Sequence, residues 1–165
     1  MRGVRPEVLA YIGLGGNLGD AQAAVRSAMS QLAALPQSRL VATSSLYRSA
    51  PVDASGPDFV NAVMAVQTRL NAHELLLKLQ QIETLSGRAR PYLNAPRTLD
   101  LDLLMYGRAS IDSPHLVVPH PRMMQRAFVL LPLAEIAPEC VNAAQLASVA
   151  TQRIERLLSD TQQAQ

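Results

Sequence analysis

Tryptophan is absent from this chain, aromatic residues make up only 4% of it, and its two phenylalanines are Phe59 and Phe128. A surface that read RNA by stacking bases on rings would have little to work with. With Cys140 as its single cysteine, the chain has no internal disulfide and gives no reason to expect an oxidising compartment. No apolar run approaches the ~20 residues of a membrane helix. The start faintly imitates a secretory leader, with Arg2 and Arg5 ahead of residues 8–14, but Glu7 intrudes and Gly13, Gly15, Gly16 and Asn17 break the apolar run. A cytoplasmic location is therefore expected. Lysine is also nearly absent: Lys78 is the only one, so positive charge is carried by arginine, whose planar fork suits bidentate contacts to phosphate. The net charge of +2 is too small to draw in a polyanion by bulk attraction, although the pI is near 9.0.

Two further absences narrow the chemistry. Residues 13–19 do not have the spacing of a dinucleotide fingerprint, and no Gly-Lys-Ser/Thr follows them, which argues against a Rossmann site or a P-loop. His115 and His120 have no Glu between them in the pattern of a zinc-protease helix, which argues against a zinc site.

What is present is a chain of 165 residues, 48% hydrophobic and 17% charged, enough to bury one core. A single domain over residues 1–165 is expected, with its core at about 8–139 and a C-terminal helix and frayed tail over 140–165. Residues 8–14 read as a buried strand running into a Gly-rich loop at 15–19. Asp20 is a candidate N-cap for a helix whose apolar stripe is Val25, Met29, Leu32 and Leu35, ended by Pro36. Two β-type runs follow at 40–48 and 59–70, separated by a loop at 51–58. Asn71 with Glu74 forms a capping box for a helix carrying Leu75, Leu76, Leu79, Ile82 and Leu85 and stopped by Gly87. A second long loop at 88–96 precedes a strand at 98–106. A Pro/His-rich loop at 114–121, an apolar segment at 128–136 and a surface helix at 143–158 complete the pattern. The order βαββαβ predicts an α+β, ferredoxin-like fold: an antiparallel sheet with helices on one face and extra C-terminal helices.

Side chains alternate faces along a strand, so Leu99, Leu101, Leu103 and Met105 are expected on one face and Asp100 and Asp102 on the other. Two carboxylates about 7 Å apart by strand rise repel each other unless a cation joins them. Magnesium is commonly held by one or two carboxylates together with substrate phosphates. Aspartate is also poorly suited to mid-strand positions on propensity alone. Arg88, Arg90 and Arg97 stand just upstream, as a polyphosphate clamp would require. The pattern points to a phosphate-transfer site.

Five runs in this sequence together carry a family resemblance: Gly15-Gly16-Asn17-Leu18-Gly19, Ser45-Leu46-Tyr47-Arg48, Pro57-Asp58-Phe59-Val60-Asn61-Ala62, Pro96-Arg97-Thr98-Leu99-Asp100-Leu101-Asp102 and Val118-Pro119-His120-Pro121-Arg122. Over residues 9–139 the chain resembles the 6-hydroxymethyl-7,8-dihydropterin pyrophosphokinases of folate synthesis. The resemblance implies a ferredoxin-like fold and transfer of the pyrophosphoryl group of ATP to the pterin's hydroxymethyl oxygen, with release of AMP. It further implies two magnesium ions on Asp100 and Asp102, and Arg88 and Arg97 as phosphate clamps that share the catalytic work. Pterin is expected between Phe59 and Phe128, with Asn61 at its edge and Ser49, Ala50 and Val52 completing the pocket. The ATP contacts implied are Gln80, Glu83, Arg90, Leu103, His115, His120 and Arg126. The two departures are Phe59, where some members have Tyr, and Pro91-Tyr92-Leu93-Asn94-Ala95, where many carry a further Arg followed by Trp. The implied partners are the two small-molecule substrates, without nucleic acid or membrane, in a monomer or weak dimer.

Two rival readings exist. Nucleotidyltransferases also join a Gly-Gly turn to an Asp-x-Asp strand, but there the carboxylates follow closely, whereas Asp100 lies far downstream of Gly16. A ferredoxin-like RNA-binding module would need more aromatics and fewer acids on its strands.

Overall fold

The computed structural model describes residues 5–16, 20–50, 58–86 and 99–157. In the first strand, β1 (Val8–Gly16), alternate side chains go to opposite sides: Ala10, Ile12 and Leu14 enter one core and Tyr11 the other. The strand runs past the expected stop at Leu14, because Gly15 and Gly16 pair with Asn61 and Val60. Helix α1 (Ala21–Ala33) begins where expected, with the Asp20 carboxylate accepting the Ala23 N–H at 3.0 Å, and buries Val25, Ala28 and Leu32.

The β-type run at 40–48 is broken into β2 (Ser38–Thr43) and β3 (Tyr47–Ser49). Both pair antiparallel with β4 (Phe59–Thr68), and the step between them is fixed by Ser44. Its N–H donates to the Val63 carbonyl and its hydroxyl accepts the Val63 N–H, each at 2.9 Å. Helix α2 (Ala72–Ser86) has the expected capping box: Asn71 N donates to Glu74 and Glu74 N to Asn71, both at 2.8 Å.

Strand β5 (Asp100–Tyr106) begins later than the expected residue 98, and Arg97 and Thr98 lie outside the described residues. Its register against β1 slips between Tyr11 and Ile12, leaving Leu104 as a bulge. The slip overturns one expectation. Leu99, Leu101 and Leu103 share a core, but Met105 packs with Leu104 against the opposite one.

The loop at 114–121 contains β7 (Val117–Val118), which pairs with β6 (Ile111–Asp112) in a small hairpin, and its Val118–Pro119 peptide is cis. The apolar segment at 128–136 is a helix, α3 (Ala127–Ile136). The expected helix at 143–158 is short, α4 (Ala143–Ser148), and gives way to a strand, β8 (Ile154–Arg156), that pairs with β3.

The main sheet has six strands in the order β5-β1-β4-β3-β8, with β2 also on β4. Helices α1 and α2 cover one face, with Val25, Leu32, Leu75 and Leu79 wholly or nearly wholly buried against it. Of the extra C-terminal helices expected, α3 lies on the opposite face, where its Leu130 and Leu133 pack against Tyr11, Val63, Ala65 and Leu104. At ~1.5–3 kcal/mol per buried leucine, this second layer is a substantial part of the fold's stability. Glu135 orients α3 by accepting Ser45 N–H at 2.9 Å and Tyr47 O–H at 2.7 Å. No helix among the described residues is long and apolar enough to cross a membrane.

Candidate active site

The face covered by α3 is not filled to its end. Between the first turn of α3 and the sheet lies a cleft of about 600 Å³ lined by Gly13, Gly15, Ser49, Ala50, Phe59, Asn61, Asp100, Asp102, Arg126 and Phe128 among others. The register explains how these residues meet. Gly15 pairs with Asp100 on one side and Asn61 on the other, and Gly13 pairs with Asp102 and Val63. Directly paired residues share a face, so both carboxylates stand next to positions without side chains. The glycines form a floor where a ligand can reach the backbone between the acidic strand and Asn61.

The rear wall is a satisfied polar pair. Asn61 and Ser49 are 4% and 5% exposed, and the Ser49 hydroxyl donates to Asn61 Oδ1 at 2.7 Å. That bond turns the Asn61 amide so that Nδ2 is the donor left for a ligand. Phe59 enters from β4 and Phe128 from α3, so apolar ring surface is offered from the sheet and from the helix packed on it. Arg126, one residue ahead of α3, holds its guanidinium 5.2 Å from the centre of the Phe128 ring.

At the other end, Asp100 is exposed and Asp102 half-buried. The His120 N–H donates to the Leu104 carbonyl at 2.9 Å, which anchors its loop at the β5 bulge. Burial pushes the His120 imidazole below the usual histidine value; Asp102 opposes this, while Arg126 and Arg122 add to it. The ring is accordingly neutral at pH 7, and since Nδ1 accepts the Arg122 N–H at 3.2 Å, Nε2 carries the proton. Glu83 reaches from α2 to accept the Leu101 N–H at 2.8 Å, which fixes the peptide between the two aspartates on the outer edge of β5. No local sequence pattern marks this contact.

Of the residues expected at the site, the structure gathers Ser49, Ala50, Phe59, Asn61, Asp100, Asp102, Arg126 and Phe128 around one cleft. His120 stands beside it. Gln80 is exposed on α2, His115 is exposed between β6 and β7, and the Leu103 side chain is 3% exposed in the core, which leaves only its backbone for a ligand. Val52, Arg88, Arg90 and Arg97 lie outside the described residues, as do the expected loop at 88–96 and, except for Asp58, the one at 51–58. Gln125 and Gln152 line the cleft without having been singled out, and so does Arg122, which was noted only as part of a motif. Gln152 has no signal in the linear pattern, because the chain brings it back to the cleft only by way of β8.

The donor set suits a hard dication that keeps substrate oxygens in its shell. Two carboxylates stand at the rim, and among the described residues no cluster of three or more His, Cys, Asp or Glu completes a protein-only cage.

Comparison with known proteins decides the family, since the model for 7,8-dihydro-6-hydroxymethylpterin-pyrophosphokinase matches residues 11–138. The chain belongs to this pyrophosphokinase family. Among its relatives, the 2-amino-4-hydroxy-6-hydroxymethyldihydropteridine pyrophosphokinase of Pseudomonas aeruginosa is 47% identical, over 78% of this chain and 80% of that protein. The enzyme of the same name from Methylorubrum extorquens is 45% identical over 80% and 84%, and that from Bacillus subtilis 42% identical over 79% of each. Among solved structures, Plasmodium falciparum HPPK-DHPS crystallised with pterin and p-hydroxybenzoate superposes with a TM-score of 0.66 at 15% identity. The match covers 88% of this chain and 43% of that longer one, a likeness of fold alone. The pyrophosphokinase match ends at residue 138, so α4, β8 and Gln152 lie beyond it.

Proposed function

We propose that the cleft carries out the family's reaction: the pyrophosphoryl group of ATP passes to the hydroxymethyl group of 6-hydroxymethyl-7,8-dihydropterin, AMP leaves, and the product serves folate synthesis. The observation that carries this reading is the row Asp100–Gly15–Asn61. It sets a pair of carboxylates and an oriented amide at opposite ends of one side-chain-free floor.

A flat heterocycle fits between Phe59 and Phe128, with Asn61 Nδ2 donating to its edge and the backbone at Ser49 and Ala50 closing the pocket. Its hydroxymethyl group then points along the floor toward the aspartates. The hydroxymethyl oxygen forms a bond to the β-phosphorus, the bond from that phosphorus to the oxygen bridging it to the α-phosphate breaks, and the hydroxyl proton is released to solvent. The chain's part is to align oxygen, phosphorus and leaving group and to neutralise charge. Asp100 and Asp102 would hold magnesium, two ions in all, which supplies electrostatic stabilisation along the triphosphate. Arg126 and neutral His120, donating from Nε2, face the same end, and Arg88, Arg90 and Arg97 are proposed to close over the phosphates. Gln80, Glu83, Leu103 and His115 belong to the proposed ATP side, Leu103 through its backbone.

The framework is read as ferredoxin-like, which the strand order β5-β1-β4 with β2 and β3 beyond it supports. A cytoplasmic monomer or weak dimer without nucleic-acid or membrane partners completes the proposal.

Product analysis tests it. With ATP, magnesium and the hydroxymethyl dihydropterin, AMP and the pterin diphosphate should form in equal amounts. Asp100→Asn and Asp102→Asn should each lower turnover at least about a hundredfold while the far-ultraviolet spectrum is kept, since each removes charge aimed at the reacting phosphates. Formation of ADP or free pyrophosphate in place of AMP, RNA binding without turnover, or full activity in either variant would overturn the reading.

A further inference from the structure

Gln152 lies outside the part of the chain matched by the family model, yet it lines the cleft. Its side chain is engaged on both sides of Arg126: Oε1 accepts the Ala127 N–H at 2.8 Å and Nε2 donates to the Gln125 carbonyl at 2.7 Å. Helix α3 has no side-chain cap from its own N-cap residue, Arg126. Gln152 therefore supplies from a distant segment a partner for an N–H that a helix start leaves unpaired. One planar amide thus holds the peptide groups flanking Arg126, whose backbone is extended at φ −123 and ψ 114 and whose guanidinium rests over Phe128.

The other end of the same segment is tied to the opposite wall. The Ala50 N–H donates to the Arg153 carbonyl at 3.3 Å, and Ile154 pairs with Ser49. A continuous path therefore runs from the Ser49–Ala50 wall through residues 152–154 to the start of α3.

We propose that Gln152 is a positioning residue for this reaction: it spans the cleft and sets where Arg126 and Phe128 stand relative to Phe59 and Asn61. The proposal rests on the reading of the cleft as the pterin and ATP site. Gln152 touches substrate through no step of the chemistry; it fixes the distance between the two rings, so it acts on binding more than on turnover.

Gln152→Met keeps the length and removes both hydrogen bonds, and Gln152→Glu keeps the acceptor for Ala127 alone. The expected result is a pterin KM raised about tenfold in Q152M, equivalent to ~1.4 kcal/mol. Q152E should fall in between, and kcat should change much less in both. Asn142→Ala, which breaks the capping box of α4 in the same C-terminal region, serves as the structural control: it should lower the melting temperature and leave KM alone. A wild-type KM in Q152M, or an N142A variant that raises KM as much as Q152M does, overturns the proposal. If Q152M does not fold, Q152E decides alone, a raised KM supporting the role and a wild-type KM refuting it. Wild-type AMP formation in the same assay separates this result from failure of the functional reading. Hydrogen exchange at the Ala127 amide, faster in Q152M, reports the brace without any turnover.

Discussion

A β-carbon at position 15 would stand 3.1 Å from Asn61 Nδ2, so that the amide would have to give way by a few tenths of an ångström. The amide has little freedom to do so, since the Ser49 hydroxyl holds its other end at 2.7 Å. Gly15→Ala is therefore expected to raise the pterin KM about tenfold while changing kcat little, the size of effect that misplacing one buried hydrogen bond of ~1–1.5 kcal/mol would have. An unchanged KM would mean that Asn61 does not meet the substrate. At this scale the sequence was readable wherever the signal was local. Asp100 and Asp102 announce themselves because acids at alternate positions in a strand of leucines are conspicuous. Gly15 does not, because its importance comes from standing between Asp100 and Asn61, two partners far from it in the chain. Gln152 is hidden for the same reason.

Helix α2 shows what a local signal can specify. Its capping box is visible in the sequence, and the structure adds Arg5, whose guanidinium lies 2.7 Å from Glu74 Oε1. The Asn71 N–H first, and then Arg5, hold the Glu74 carboxyl below its ordinary value of 4.5. A carboxylate lowered on folding stabilises the protein above its unfolded value, and that contribution is lost as pH falls through the folded value. Glu74→Gln should therefore melt below wild type at pH 7, and the two melting curves should converge as pH falls through the lowered folded value of Glu74, below which both side chains are uncharged. A gap of constant size across that range would assign the stabilisation to something other than the ionised cap.

The elements that the sequence misstated are those set by pairing across the sheet. The run 40–48 is continuous in β-propensity, yet the Ser44 bonds to Val63 divide it into β2 and β3. Leu104 and Met105 are as apolar as their neighbours, so nothing local marks the bulge that sends both to the α3 side. In β8 the one apolar residue, Ile154, follows Arg153 and precedes Glu155 and Arg156, and such a segment becomes a strand only because β3 offers it an edge.

Across the described residues, a six-stranded sheet separates two cores, and the cleft occupies the part of the second core that α3 leaves open. The α1–α2 side makes the sheet rigid through nearly fully buried leucines. The α3 side carries the site, with sheet residues as floor and helix residues as wall. The strand and helix order was legible because caps, periodicity and turn residues are local properties. That α3 lies across the face bearing the aspartates was not, because its placement depends on Glu135 meeting Ser45 and Tyr47 some ninety positions away. The central claim is that phosphates and pterin share this floor, with cations at Asp100 and Asp102 and the ring between Phe59 and Phe128. A crystal structure with manganese, a non-hydrolysable ATP analogue and 6-hydroxymethyl-7,8-dihydropterin tests it most directly. Anomalous peaks at both carboxylates, and the ring stacked between the two phenylalanines with Asn61 at its edge, are the predicted result. Manganese away from both aspartates, or a pterin bound outside the cleft, would contradict it.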